Sequence, residues 1–411
     1  MWGSLCAAPS LLHAQFDFQL AGRDFQVHSS VQQGFAYSNN NNFLTMDTSR
    51  GSFAMTDAAV NVSTRLTDNL RIGAQVFDRY LGHLDKGEVQ LDWAVVDYKL
   101  KPWFGIRAGK VKTTLGLFND TQDMEFLYTF ALLPQSMYPT DQRDNTIAHD
   151  GGDIYGDISM RGGGTLSYSV YGGWRPNLPH EGFLHAMQSI GTSMKSWDGW
   201  MKGADLRWAT PVKGLLAGAS YMDQALSGSG TAFKTGDPGI AQETQKPLKD
   251  QTYRYYVEYF AGKLRVDGEY QRHYRIVKVE DIYPVIGFIT FNPEADSRSW
   301  YGLASYRINK RVEVGGYLSQ YWADWRRSMS SPDNHIYDRV ATVRVDLTHY
   351  WNIKLEGHFM NGYGEMDAAH GFYANENPGG TPVHVGAGGL VVPTSLVPET
   401  HMVVIRTGFT F

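Results

Sequence analysis

Phe104-Gly-Ile-Arg-Ala-Gly-Lys110 and Asp153-Ile-Tyr-Gly-Asp-Ile-Ser-Met-Arg161 read as two alternating strands. The chain between them, 111–152, reads as neither strand nor helix, and it lacks the Ser/Gly composition of a linker. It carries aromatic residues (Phe118, Phe126, Tyr128, Tyr138) together with charges of both signs. Among the charges are Lys112, Asp120, Asp123, Glu125, Asp141, Arg143, Asp144 and Asp150, with His149 beside the last. A long ordered insertion inside a strand-rich chain is normally functional.

The chain outside this stretch repeats the strand pattern. From Asp24 onward it divides into short segments of period two. Val27, Val31 and Phe35 share one parity, as do Ala58, Val60 and Val62, then Ile72, Ala74 and Val76. Tyr253, Tyr255, Val257 and Tyr259 face Leu264, Val266 and Tyr270 across Ala261-Gly-Lys263. The last segment runs His401, Val403, Ile405, Thr407, Phe409, Phe411. The segments number sixteen, and short turns alternate with longer connections at 38–51, 111–152, 175–200, 224–250, 276–297, 324–336 and 362–400. Only 81–88 is short on the long side.

That alternation is the asymmetry of a transmembrane barrel, with short turns at one rim and long loops at the other. A soluble sandwich has no reason to keep it through sixteen strands. The expected fold is therefore all-β, a transmembrane antiparallel β-barrel of about 16 strands, with short periplasmic turns and long extracellular loops. The 111–152 insert would fold inward and narrow the lumen. Composition agrees: 24 Tyr and 11 Trp suit aromatic girdles, and no run approaches eighteen apolar residues, so no α-helical span is expected. Charges on the lipid-facing parity (Lys202, Arg272, Arg298, Arg339) fall at strand ends beside long loops. At a bilayer midplane each would cost roughly 2–4 kcal/mol, and about 0–1 near the interface.

The 411 residues show no composition shift that would divide them, so residues 15–411 are expected to form a single domain. Leu5-Cys-Ala-Ala-Pro-Ser-Leu-Leu-His-Ala14 has the look of the tail of a secretion signal, with 1–14 removed on export and its charged start missing. Cleavage there would leave no cysteine, since Cys6 is the only one. A lipoprotein cysteine would place Leu5 where a small residue is expected. A net charge of −5 without basic clusters gives no sign of a nucleic-acid partner.

The terminal aromatic Phe411, with Phe409 on the same face, resembles the assembly signal of outer-membrane barrels. Ile106-Arg-Ala-Gly-Lys-Val-Lys-Thr-Thr-Leu-Gly-Leu-Phe-Asn-Asp-Thr-Gln-Asp123 resembles the strand-and-loop motif of Gram-negative porins. Leu133-Pro-Gln-Ser-Met-Tyr138 and Asp150-Gly-Gly-Asp-Ile-Tyr-Gly156 resemble further blocks of that family. Thr114 and Gln122 depart from it, standing where Pro and Arg are usual. The resemblance implies a passive diffusion channel for small hydrophilic or charged solutes in the bacterial outer membrane. Such a channel would be trimeric, in contact with outer-membrane lipid and lipopolysaccharide, and without a cofactor.

Parity places Arg71, Arg107, Asp205, Arg207, Arg254, Glu258, Arg265, Asp267, Glu269, Arg307, Arg344, Asp346 and Glu356 inside. Asp120, Asp123, Glu125, Asp141, Asp144 and Asp150 of the insert would oppose them, and a basic wall facing an acidic loop would set a transverse field. Lys110 and Lys112 join that constriction if the chain turns inward after Arg107, and Arg143 belongs to it from the insert itself. The alternative reading of each charge is an ion pair within the wall. The spacing Asp141, Asp144, Asp150, Asp153 could hold a hard cation, but no calcium-loop pattern accompanies it, so no metal site is assigned. A hydrolase would need a serine beside a positioned histidine; His28-Ser29 and His273 are the candidates, and no Gly-x-Ser-x-Gly elbow occurs. An adhesion or binding barrel acting through its long loops is the main alternative function.

Overall fold

Sixteen strands of this chain have no free edge on either side. A computed structural model describes residues 16–20, 22–84, 87–177, 182–189, 191–233, 239–364 and 396–411. The secretion-signal reading at 1–14, and most of the expected loop 362–400, lie outside these residues. A short strand β1 (Phe16–Leu20) folds back on β2 (Arg23–Ser38). The wall continues through β3 (Ser52–Arg65), β4 (Leu70–Leu81), β5 (Gln90–Lys101) and β6 (Phe104–Lys112). Next come β7 (Ala148–Met160), β8 (Gly164–Asn177), β9 (Thr192–Ala209) and β10 (Leu215–Ala232). They are followed by β11 (Ala241–Ala261) and β12 (Leu264–Tyr283). A small strand β13 (Gly287–Phe291) pairs back on the end of β12. The wall then resumes with β14 (Glu294–Arg307), β15 (Val312–Trp322), β16 (His335–Asp346), β17 (Trp351–Gly362) and β18 (Glu399–Thr410).

Every neighbouring pair is antiparallel, and β18 closes on β2 from Met402↔Ser38 to Thr410↔Ser30. Phe411 completes the seam: its N–H donates to the Ser29 carbonyl at 2.9 Å, and the Ser29 N–H donates to the Phe411 carbonyl at 2.6 Å. Phe409 stacks on Trp351 with ring centroids 4.9 Å apart, while Phe411 faces outward. The wall is β2–β12 with β14–β18, a closed sixteen-stranded barrel.

Polarity is inside-out. Val257, Leu355 and Ile405 point outward and are exposed, whereas Lys354, Glu356 and His358 on β17 are fully buried. Apolar side chains facing out and charged ones facing in is the pattern a bilayer selects. Lys202, Arg272, Arg298 and Arg339 lie on this outer face. Arg298 and Arg339 are within five residues of the long-loop ends of β14 and β16, whereas Lys202 and Arg272 are mid-strand, because β9 and β12 run on about ten residues beyond them.

Three expected long loops belong largely to the barrel wall instead. β9 and β10 stay paired to Thr192↔Ala232, β10 and β11 to Ala232↔Ala241, and β11 and β12 to Gln242↔Ile282. These extensions carry Ser, Thr, Gly, Gln and Lys on both faces. Above the bilayer neither face meets lipid, so the hydrophobic alternation that marks a membrane strand is gone while the backbone ladder continues. Between β8 and β9 a helix α1 (Gly182–Ser189) packs Leu184 and Met187 on Met194, Trp197 and Leu226. The insert is shorter than 111–152, because β6 continues to Lys112 and β7 starts at Ala148.

Val343 lies on the outer face of β16 opposite Leu355, and Arg339 lies on the same face opposite the aromatic Phe359, four residues closer to the long-loop rim. Val343→Arg is expected to destabilise the barrel by about 2–4 kcal/mol and Arg339→Val by less than about 1 kcal/mol, measured by urea unfolding in lipid.

Candidate constriction site

The insert 113–147 leaves the wall at Thr113, whose N–H donates to the Ile147 carbonyl at 2.9 Å. Arg175, fully buried on β8, bonds Thr113 Oγ1 at 3.1 Å, and the Asn119 amide bonds the carbonyls of Thr113 and Thr146 at 2.8 Å each. Beyond this neck the chain turns at Gly116, with φ +72°. A Cβ there would lie 2.3 Å from Glu269 Oε2, so only glycine fits. Pro134 turns it again, its carbonyl accepting from the N–H of Met137 at 3.0 Å and of Tyr138 at 2.9 Å.

One face of the insert is apolar. Leu117, Phe118, Tyr128, Phe130, Leu133, Met137 and Tyr138 pack with Tyr256, Tyr301, Leu303, Tyr317 and Val340, which belong to β11, β14, β15 and β16. Phe130 meets Tyr317 at 5.2 Å, and Ser136 Oγ meets Ser319 Oγ at 2.6 Å. Sequence reading gave weight to the charges of this loop and missed its apolar face. The signal was the dense aromatic content between 118 and 138.

Wall side chains then hold the insert's backbone. Arg254 donates to the carbonyls of Leu115 at 3.1 Å and Met137 at 3.0 Å, and Arg344 to those of Phe126 at 2.7 Å and Tyr128 at 2.8 Å. Glu269 accepts from the Leu117 N–H at 3.1 Å. Glu356 accepts from the N–H groups of Ala131 at 2.8 Å and Leu132 at 3.0 Å. His358 sits between Asp338 Oδ2 at 2.7 Å and Glu356 Oε1 at 3.1 Å. Lys354 Nζ reaches the Glu125 carbonyl at 2.7 Å, Glu125 Oε1 at 3.0 Å and the Phe130 carbonyl at 2.9 Å. Buried charge-assisted bonds of this kind contribute about 1.5–3 kcal/mol each, and losing one partner strands the other.

A small cleft of about 40 Å³ remains between the insert and β3, β4 and β18. It is lined by Asp57, Arg79 and Arg406 of the wall and by Asp123, Glu125 and Arg143 of the insert, with Phe77, Tyr128, Phe130 and Leu132 alongside. Each charge is paired. Asp123 takes Lys112 Nζ at 2.8 Å on both oxygens, Gln75 Nε2 at 2.9 Å and Arg143 at 3.4 Å. Burial alone would raise the Asp123 carboxyl, but Lys112 and Arg143 outweigh it and hold the group below the usual carboxylate range. Asp144 joins Arg79 at 2.7 Å and Arg143 at 3.0 Å, and its carboxyl is likewise lowered by those two cations against the effect of burial. Arg143 also pairs with Asp92 and lies over the Phe77 ring at 4.2 Å. Arg406 pairs with Asp57 and meets Glu125 at 3.3 Å.

The remaining candidates from the sequence fall elsewhere. Lys110 and Asp150 are cross-strand partners on β6 and β7. Lys110 Nζ bonds the Leu91 carbonyl at 2.6 Å at an exposed position, and Asp150 is exposed. Neither joins the cleft, because β6 keeps its outward parity through Lys110 and the chain turns in only afterwards, at Lys112. Arg71 bonds Ser63 at 2.8 Å, and Arg107 pairs with Asp153 on the wall. Asp120 lies 3.9 Å from Arg207, Arg265 pairs with Glu258 at 2.9 Å and Asp267 at 2.8 Å, and Asp141 is buried beneath α1. The Asp141, Asp144, Asp150, Asp153 spacing does not converge, since Asp144 and Asp153 are taken by arginines and Asp150 faces out. His273 bonds Asp250 at 2.8 Å. The charges are not a basic wall held apart from an acidic loop; opposite signs touch. Sequence reading left Arg79, Asp57, Lys354 and Arg406 out of the site, although each sits on the inward parity of its strand.

Lys354→Met is expected to leave the barrel closed while freeing Glu125 and the 125–130 backbone. Noise and open-state fluctuation in single-channel recordings should rise, with an unchanged β-sheet circular dichroism signal.

Neither a family model nor a curated protein matches this sequence. Solved structures do. An anion-selective porin from Comamonas acidovorans superposes with a TM-score of 0.54 at 12% identity, over 95% of this chain and 100% of that one. The outer-membrane channel DcaP of Acinetobacter baumannii gives 0.51 at 9% identity, over 97% and 100%. OmpT of Vibrio cholerae, described in its trimer form, gives 0.50 at 11%, over 94% and 99%. The shared property is the fold: a sixteen-stranded barrel of the Gram-negative outer-membrane porin type.

Proposed function

We propose that this chain is an outer-membrane porin, a water-filled channel through which small hydrophilic solutes diffuse passively, with the insert 113–147 as its constriction. The observation that carries the reading is the insert itself, hydrogen-bonded to wall strands around the lumen and leaving a charged cleft along β3, β4 and β18. A sixteen-stranded barrel is wide enough for water, so whatever narrows it sets what passes.

Short turns then face the periplasm and the extended hairpins the cell exterior. Export through a cleaved signal at 1–14, contact with lipopolysaccharide at the long-loop rim, and assembly as a trimer like that described for the Vibrio protein belong to the same proposal. Chemistry on solutes is no part of it.

Planar-bilayer recording of the purified protein tests it. Stepwise single-channel conductance is expected, and replacing 117–146 by a short Gly/Ser link should raise the conductance several-fold. A folded barrel that never conducts would move the function to the surface loops.

A further inference from the structure

The short-turn rim is basic over most of its circumference. Five consecutive turns, from the β5–β6 turn to the β14–β15 turn, carry Lys101, Arg161, Lys213, Lys263, and Lys310 with Arg311. All six side chains are exposed. Asp68 is the one carboxylate within the seven short turns. The whole chain has a net charge of −5, so a cationic arc here does not follow from composition.

These cations are also unneutralised. None of the six has an ion-pair partner among the described residues, and Lys263 Nζ bonds the Ile308 carbonyl of the neighbouring turn at 3.0 Å. The long-loop side differs. There Lys278 pairs with Glu280 at 2.6 Å, Arg326 with Glu294 at 2.6 Å and Asp324 at 2.7 Å, and Arg327 with Asp333.

Large apolar side chains stand exposed beside the turn cations: Leu100 and Trp103 by Lys101, Met160 by Arg161, Val212 by Lys213 and Ile308 by Lys310. Leu100, Met160 and Ile308 continue the outward parity of Tyr98, Ile158 and Tyr306. The charged heads therefore sit where the lipid-facing surface ends, at headgroup depth. A zwitterionic headgroup brings its own ammonium to such a site, whereas an anionic one brings a phosphate with no internal partner. Neighbouring turns are roughly 10 Å apart, each spanning two strands. That is close to the Debye length of about 8–10 Å, so their potentials overlap. Phospholipid already lies against these side chains, while a cell-wall polymer would have to reach them past it.

We infer that the arc of short turns between β5 and β15 is a binding surface for anionic phospholipids of the periplasmic leaflet. It rests on the orientation proposed above, with short turns facing the periplasm, and does not require the barrel to conduct.

The full-length protein is reconstituted into phosphatidylcholine bilayers with a trace of spin-labelled phosphatidylglycerol or spin-labelled phosphatidylcholine. The motionally restricted fraction of each label gives their relative association with the barrel. Phosphatidylglycerol should associate at least roughly twofold more strongly at low salt, with the ratio approaching one in about 0.5 M NaCl. A K101Q/K213Q/K263Q/K310Q/R311Q variant should bring the ratio close to one, and a K246Q/K249Q/K278Q variant on the long-loop side should leave it unchanged. Heat-modifiability on gels shows that each is folded. Equal association of the two lipids with the unaltered protein, or a ratio that survives the turn variant, would overturn the inference. Binding to purified peptidoglycan that the turn variant loses, with a lipid ratio of one, would overturn it in favour of the cell wall. Lipid selection by a barrel that never conducts would uphold the inference and strike the channel reading alone.

Discussion

Backbone pairing in lipid is the constraint on which the molecule depends. A peptide N–H or C=O left unpaired in hydrocarbon costs several kcal/mol, so a sheet that spans a bilayer must close. Here closure is the ladder from Met402↔Ser38 to Thr410↔Ser30, finished by the pair of backbone hydrogen bonds that Ser29 and Phe411 exchange. Closure fixes the alternation of every strand: apolar residues such as Val257 and Ile405 go to lipid, and their neighbours go inside whatever their charge. The polar interior is the consequence of an outer surface that tolerates nothing else.

That interior makes the insert possible. A loop of mixed aromatic and charged residues has many backbone groups to satisfy, and an aqueous lumen alone would leave it free to move. The wall answers with buried cations for its carbonyls (Arg254, Arg344, Lys354) and buried carboxylates for its N–H groups (Glu269, Glu356). The tyrosine-rich half of the wall takes up its apolar face. Arg79 of β4 and Arg406 of β18 hold the insert from the opposite side, through the carbonyls of Thr140 and Ala131.

Much of this was legible in the residues. Period-two segments, short and long connections in alternation, and charges confined to strand ends led to the barrel and its strand number, because lipid enforces alternation so strictly. The hairpin extensions 192–200, 224–232, 241–250 and 276–283 were read as loops for the complementary reason: beyond the bilayer the alternation has no physical cause. The insert was legible as an interruption but its details were not. Lys110 and Lys112 share a parity, and only where the chain leaves the wall decides that one faces out and the other meets Asp123. Arg406 and Lys354 were plain in the strand pattern, yet their role depends on Asp57, Glu125 and Phe130, residues far away in the sequence, and pairings of that kind arise only when the barrel closes.

The insert crosses the lumen and docks on the far wall. Ser136 on the insert and Ser319 on β15 bring their hydroxyls to 2.6 Å, a separation that brings their Cβ atoms near disulfide range. A Ser136→Cys/Ser319→Cys double variant, refolded into lipid under mild oxidation, should form an intramolecular disulfide and still conduct, seen as faster gel migration that reductant reverses. Free thiols that stay reactive toward a large maleimide in the folded barrel would mean that the insert does not lie across the pore.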